Sequence, residues 1–135
     1  MIKLIIGNKG SGKTKKLIDL VNTASKTTKG NVVCIEKGTQ LTYDIVHSVR
    51  LIDIDTYQVS GFEAFYGFIC GVLAGNYDIS EMFIDATFKI GGRDYVAFAE
   101  MIRKLDSVVD KETVVTFTVS CDISDLPEDM KSYSI

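Results

Sequence analysis

A glycine-rich segment close to the start of the chain is the strongest candidate for chemistry. It reads Gly7-Asn-Lys-Gly-Ser-Gly-Lys-Thr14 and matches the pattern G-x-x-x-x-G-K-[ST] in full. Glycines in this pattern let backbone amides point inward at the oxygens of a phosphate group, where side chains would block the approach or forbid a positive φ. The segment therefore predicts a binding site for the phosphates of a nucleotide.

The polar residues of this segment have separate predicted roles. Lys13 would place a mobile positive charge at the β- and γ-phosphates, and the Thr14 hydroxyl would complete the shell of a bound Mg²⁺ ion. Lysines in the first turn of a helix are unfavourable beside its positive dipole end, and a bound polyanion such as ATP or GTP would offset that cost. The predicted phosphate contacts are Gly7, Asn8, Lys9, Gly10, Ser11, Gly12, Lys13, Thr14 and Lys15.

An aspartate at the end of a later apolar run is the second candidate metal ligand. Met82-Phe-Ile-Asp85 reads as a buried strand that ends in a carboxylate. Carboxylate oxygens suit Mg²⁺, which usually keeps several of its waters. Asp85 is therefore predicted to hold the ion through water, beside Thr14.

The elements that must position these residues alternate in type along the chain, as is typical of a parallel sheet covered by helices. The predicted strands are residues 2–6, 32–36, 51–55, 82–85 and 113–120. The predicted helices follow the glycine-rich segment and cover residues 38–50, 62–74 and 95–109, with a loop at 86–93. Ser60 and Glu63 are predicted to form a capping box for the helix at 62–74. We expect a three-layer α/β/α fold with a mostly parallel sheet of about five strands, in one domain spanning residues 1–135.

In these features the chain resembles the P-loop NTPases and, more narrowly, the RecA-like ATPases among them. The resemblance covers about residues 1–120, and its specific part is the Walker A pattern of residues 7–14. It implies that the strand at 113–120 lies between the first strand and the Asp85 strand, with Ser120 in the place of a residue that senses the γ-phosphate. It also implies that Glu36, at the end of a strand, activates the attacking water, so that Lys13 and Glu36 are the catalytic residues. The alternative interpretation of Glu36 is a strand-end carboxylate that faces solvent.

Three functions are compatible with these residues. The first is a magnesium-dependent ATPase, a hydrolase with slow turnover. The second is a nucleotide-binding switch or regulatory module without efficient turnover, because Ala86 follows Asp85 where many relatives carry a glutamate. The third is a nucleoside kinase similar to thymidine kinase, which shares the strand order, although lid kinases usually carry several arginines and this chain has only Arg50, Arg93 and Arg103. Arg93 is interpreted either as a surface turn residue or as a finger that reaches the phosphate of a neighbouring subunit.

Composition narrows the class of partner. At 135 residues and 46% hydrophobic, the chain is long enough to bury a packed core. A net charge of −3 argues against a nucleic-acid or anionic-membrane surface, because either would need a basic stripe. Three cysteines without paired spacing and the lack of a signal peptide favour a reducing cytoplasm.

Glycines recur every four residues at Gly67, Gly71 and Gly75. The simpler interpretation is close packing of the helix at 62–74 against the sheet. The alternative is a seam between two helices of separate chains, which would make the protein a homo-oligomer or give it a protein partner.

Overall fold

The computed structural model describes every residue from Met1 to Ile135, and its five strands form one parallel sheet with helices on both faces. The strands are β1 Ile2–Gly7, β2 Asn31–Glu36, β3 Arg50–Asp53, β4 Ile79–Asp85 and β5 Val114–Ser120. The helices are α1 Lys13–Thr27, α2 Phe62–Gly75, α3 Thr87–Gly91 and α4 Tyr95–Val108, and short 3₁₀ turns cover Ile54–Tyr57, Ile123–Asp125 and Glu128–Tyr133. The predicted α/β class and the number of strands are confirmed.

The strand order is β1-β5-β4-β2-β3. The prediction that β5 lies between β1 and β4 is confirmed, and so is the prediction of an edge strand at β3. The register pairs Gly7 with Ser120 and Glu36 with Asp85, so the carboxyl ends of four strands lie at one edge of the sheet. Ligands of open α/β sheets bind outside this edge, which is where the predicted site residues meet.

Side chains alternate between the two faces of the sheet and build two separate cores. The smaller core packs α1 against Ile5, Cys34 and Phe83, and it includes the segment between β2 and β3. The larger core contains the inward faces of α2, α3 and α4. The continuous apolar run of β2 follows from burial on both faces, as expected for parallel strands, and β5 is buried in the same way although it contains Thr116 and Thr118. These two cores give the protein its three layers.

The predicted helix at 38–50 is wrong, because residues 37–49 form turns. Leu41, Ile45 and Val49 are buried as their spacing indicated, but the backbone between them is fixed by side chains from elsewhere. Asn22 of α1 binds the Asp44 carbonyl and the Val46 amide, at 2.9 and 3.1 Å. Side chain–backbone bonds of this kind compete with the hydrogen bonds of a helix. We refer to residues 37–49 as the anchored loop.

Two other local predictions are also wrong. Helix α2 begins after Gly61, which makes no side-chain cap, so the expected capping box of Ser60 and Glu63 does not form. The loop predicted at 86–93 contains the short helix α3.

None of the helices combines the length and the apolar character that crossing a membrane would need.

The glycines of α2 do not pack against the sheet. A Cβ atom added at Gly67, Gly71 or Gly75 would meet no atom within 4 Å. The three glycines therefore lie on the open side of the helix, and the prediction of close packing is wrong.

Candidate functional site

The loop between β1 and α1 has the backbone conformation that its glycines predict. Gly10 and Gly12 both have φ of 87°, a region that other residues rarely adopt. Gly7 is restricted differently, since a Cβ atom there would come within 2.5 Å of the Ser11 Oγ. The chain can therefore turn tightly around an open centre only because these positions lack side chains.

The first turn of α1 presents free backbone donors at this loop. Gly12 is the N-cap residue, no side chain caps the helix, and the first turn contains no acidic residue. The first intrahelical bond is donated by Lys16 to the Gly12 carbonyl, at 3.1 Å. The amides of Lys13, Thr14 and Lys15 precede this bond and have no acceptor within the protein. Such an N-terminus is suited to an anion.

The Lys13 ammonium lies over the same loop. Its Nζ donates to the Asn8 carbonyl at 3.1 Å and lies 3.5 Å from the Ser11 Oγ. Burial lowers the pKa of Lys13, and the nearby charge of Asp85 partly offsets that shift. A phosphate would give this desolvated ammonium a partner of opposite charge in place of a neutral carbonyl.

Thr14 and Asp85 meet at the carboxyl edge of the sheet, as predicted. The Thr14 Oγ1 lies 3.4 Å from each carboxylate oxygen of Asp85. The Asp85 carboxylate is held from the other side by a hydrogen bond from the Thr118 Oγ1 of β5. This hydroxyl and carboxylate fit Mg²⁺, which is usually bound by one or two carboxylates together with waters and phosphate oxygens. No group of three or more His, Cys, Asp or Glu side chains could hold a metal by itself.

A cavity of about 670 Å³ opens over these residues. Of the predicted contacts, Lys9, Gly10, Gly12, Lys13, Thr14, Lys15, Asp85 and Ser120 line it. Gly7, Asn8 and Ser11 shape the loop beneath but do not line the cavity. The lining also includes Gln40, Ala86, Phe88, Lys89 and Arg93. Five cationic side chains therefore surround one carboxylate, which suits a ligand that carries several negative charges.

Glu36 does not line this cavity, although it ends β2 beside Asp85. Its Oε1 accepts the Gln40 amide at 3.0 Å, and both of its oxygens accept the Leu41 amide at 3.2 Å. Burial raises the pKa of Glu36, and these backbone hydrogen bonds partly offset the increase. The base role of Glu36 remains a prediction, and it requires the anchored loop to release the carboxylate.

The sequence pattern did not indicate Gln40 or Lys89 as lining residues. Gln40 reaches the cavity because Glu36 and Asn22 fold the anchored loop back over the edge of the sheet. Lys89 does so because α3 follows β4 directly. For Lys89, the one available signal was its position four residues after the predicted metal ligand Asp85.

No protein-family model matches the chain, and no curated protein is significantly similar to it.

Proposed function

We propose that this protein binds a nucleoside triphosphate, with ATP as the first candidate, together with Mg²⁺. The observation that carries the proposal is the set of free amides at Lys13, Thr14 and Lys15, in a helix terminus that has no acid and no cap. Helix N-terminal amides and the positive end of the helix dipole favour an anion, and phosphate oxygens would accept from these amides together with the Lys13 ammonium. The full match of residues 7–14 to the phosphate-binding pattern supports the same ligand.

The proposal extends to slow hydrolysis of the triphosphate. In this reading Thr14 and Asp85 hold Mg²⁺, Ser120 faces the γ-phosphate, and Glu36 accepts the proton of the attacking water. The raised pKa of Glu36 supports a base, because a carboxylate with a higher pKa accepts a proton more readily. Turnover would be slow because the Glu36 carboxylate is held by the Gln40 and Leu41 amides.

A nucleotide-binding switch without efficient turnover is the second candidate. Two observations favour it: Ala86 cannot orient a water molecule, and Glu36 is separated from the cavity. The two candidates share the binding site and differ only in the chemical step.

Titration calorimetry with MgATP and MgGTP tests the binding proposal. We expect Lys13→Ala to weaken affinity by roughly 10- to 100-fold, because it removes a charge-assisted hydrogen bond. Lys16→Ala is the matched control, since Lys16 lies in the same turn but does not line the cavity. Wild-type protein that binds neither nucleotide, or a Lys13→Ala variant with unchanged affinity, would contradict the proposal.

Release of phosphate in a single turnover separates the two candidates. If Glu36 is the base, Glu36→Gln should slow phosphate release on the order of 100-fold and leave nucleotide affinity unchanged. An unchanged rate would remove Glu36 from the mechanism, and Gln40→Ala then tests whether the residue that lines the cavity orients the water. Wild-type protein that binds ATP but releases no phosphate supports the switch.

A further inference from the structure

Arg93 lies in the same cavity as the phosphate-binding loop of its own chain. It shares the lining with Lys13, Thr14 and Ser120. It follows α3, the short helix that β4 leads into, so its position depends on the strand that carries Asp85. The sequence left open whether this arginine is a surface turn residue or one that reaches a neighbouring subunit.

Three contacts fix the guanidinium. Its Nη1 donates to the Ser120 carbonyl at 2.9 Å and lies 3.2 Å from the Tyr95 hydroxyl. The Arg93 Cζ lies 5.2 Å from the centre of the Phe88 ring, within the range of a cation–π contact. Both hydrogen bonds use Nη1, so the donors on Nη2 and Nε make none within the protein. The guanidinium is therefore held in place, and its Nη2 and Nε donors remain free for a ligand.

The end of β5 is where this anchoring takes place. Ser120 is the last residue of the strand that lies between β1 and β4, and the nearby Thr118 binds the predicted metal ligand Asp85. Ser120 pairs with Gly7, the first residue of the glycine-rich loop, and Arg93 lines the same cavity as Lys13, Thr14 and Asp85. A phosphate chain held by this loop would therefore share the cavity with the free donors of Arg93.

We propose that Arg93 acts in cis as the residue that stabilises the charge of the transferring phosphoryl group, so that one chain holds a complete site. This inference depends on the proposed function. In the reaction, a water oxygen forms a bond to the γ-phosphorus while the bond from that phosphorus to the β–γ bridging oxygen breaks. The diphosphate leaves with the electron pair, the water proton passes to the base, and Arg93 donates hydrogen bonds to the γ-phosphoryl oxygens. An arginine in this role contributes more in the transition state than in the ground state.

The cis assignment makes a specific prediction for Arg93→Ala. We expect nucleotide affinity to stay within a few-fold, while single-turnover phosphate release falls on the order of 1000-fold. Arg50→Ala is the matched control, because Arg50 starts the edge strand β3 at the opposite edge of the sheet and is exposed. Arg93→Gln, which removes the charge but keeps a polar side chain, replaces Arg93→Ala if that variant does not fold.

A mixing experiment separates a cis residue from a trans residue. Lys13→Ala protein retains Arg93 but has a damaged phosphate site, whereas Arg93→Ala protein retains the phosphate site. If Arg93 acts in cis, an equimolar mixture stays as inactive as its components, and the wild-type rate per chain does not change with protein concentration. Recovery of activity in the mixture would assign Arg93 to a neighbouring subunit and overturn the inference.

The same measurements distinguish failure of the inference from failure of the proposed function. If wild-type protein binds MgATP and Arg93→Ala keeps the full rate, the inference is wrong and nucleotide binding stands. If wild-type protein binds MgATP and releases no phosphate, the catalytic role is likewise wrong. If wild-type protein does not bind nucleotide at all, the proposed function fails, and the inference fails with it.

Discussion

Thr14 and Asp85 are the two predicted metal ligands, and the fold brings them together from distant parts of the chain. One hydroxyl and one carboxylate, 3.4 Å apart, come from the start of α1 and the end of β4. Neither side chain alone would bind Mg²⁺ tightly, because the ion needs further oxygens from water and phosphate. At the scale of single residues, metal and nucleotide should therefore bind together.

The first prediction concerns this linkage. Mg²⁺ should increase the affinity of wild-type protein for ATP, whereas Thr14→Ala and Asp85→Asn should lose roughly 10-fold or more of that increase. Asparagine keeps an oxygen that can accept the Thr118 hydrogen bond, so the Asp85 change preserves the packing. The measurement is calorimetry with Mg²⁺ and with EDTA, and Asp19→Asn on the exposed face of α1 is the control. Equal Mg²⁺ dependence in all four proteins would contradict the metal assignment.

The second prediction concerns Glu36 and pH. Burial raises the pKa of Glu36 in the folded protein above the ordinary value of about 4.3. Between these two pKa values, the folded state binds more protons than the unfolded state. The contribution of Glu36 to the free energy of unfolding is therefore greatest at low pH and decreases as the pH rises through the folded pKa. Glutamine does not titrate, so the free energy of unfolding of Glu36→Gln relative to that of wild type should increase from about pH 4.5 to about pH 8.

Urea unfolding of both proteins across this range measures the difference. The neighbouring carboxylates Asp53 and Asp85 are present in both proteins, so their contributions to the difference largely cancel. A difference that stays constant or decreases with pH would show that the carboxylate is not destabilised by burial.

Among the helices, the glycine that ends α3 and the glycines of α2 lie in different surroundings. Gly91 ends α3 against the ring of Phe62, and an added Cβ atom would overlap that ring. The Phe62 ring packs against the rings of Phe65, Phe88 and Phe98, so a shift of Phe62 would disturb these contacts. The glycines of α2 meet open space instead. Close approach explains Gly91, whereas no contact within one chain explains the spacing in α2.

The third prediction compares these two environments. Gly91→Ala should lower the free energy of unfolding by about 1–3 kcal/mol because it overpacks the core. Gly67→Ala should raise it by about 0.5–1 kcal/mol because alanine loses less backbone entropy in a helix. Chemical denaturation of both variants gives the signs, and two changes of the same sign would contradict the described packing.

At the scale of the whole molecule, the sheet separates two cores that protect different cysteines. Cys34 lies in the smaller core and Cys121 in the larger one, and both are buried. Burial, with the charges of Glu36 and Asp85, raises the pKa of Cys34 to about 12. Burial also raises the pKa of Cys121 to about 11. Thiols react as thiolates, so both should be inert in the folded protein.

The fourth prediction is selective alkylation. Iodoacetamide at about pH 8 should modify the half-buried Cys70 first, and Cys34 and Cys121 only when the protein unfolds. Mass spectrometry of peptides after timed labelling identifies the sites, and Cys70→Ser is the control that should remove the fast phase. Modification of Cys34 as rapidly as Cys70 would mean that the smaller core opens readily in the folded state.

The sequence by itself determined the parts of this protein that depend on local pattern. The glycines of residues 7–14 predicted the conformation of the loop between β1 and α1, because positive φ angles and the close approach at Gly7 require residues without a side chain. The apolar runs predicted the strands of a parallel sheet, because burial on both faces leaves a continuous hydrophobic signal. The position of Asp85 beside Thr14 followed once the strand order was assumed.

Only the tertiary structure decided the conformation of the anchored loop and the positions of Glu36, Gln40 and Arg93. The loop is turned rather than helical because Asn22 and Glu36, which precede it in the chain, bind its backbone. Arg93 lies in the cavity because its guanidinium donates to the carbonyl of Ser120, at the end of β5. The Gln40 amide binds a residue four positions earlier, whereas the hydrogen bonds of Asn22 and Arg93 join residues at least 22 positions apart. The bonds of Asn22 and Arg93 can form only after the fold has brought these residues together.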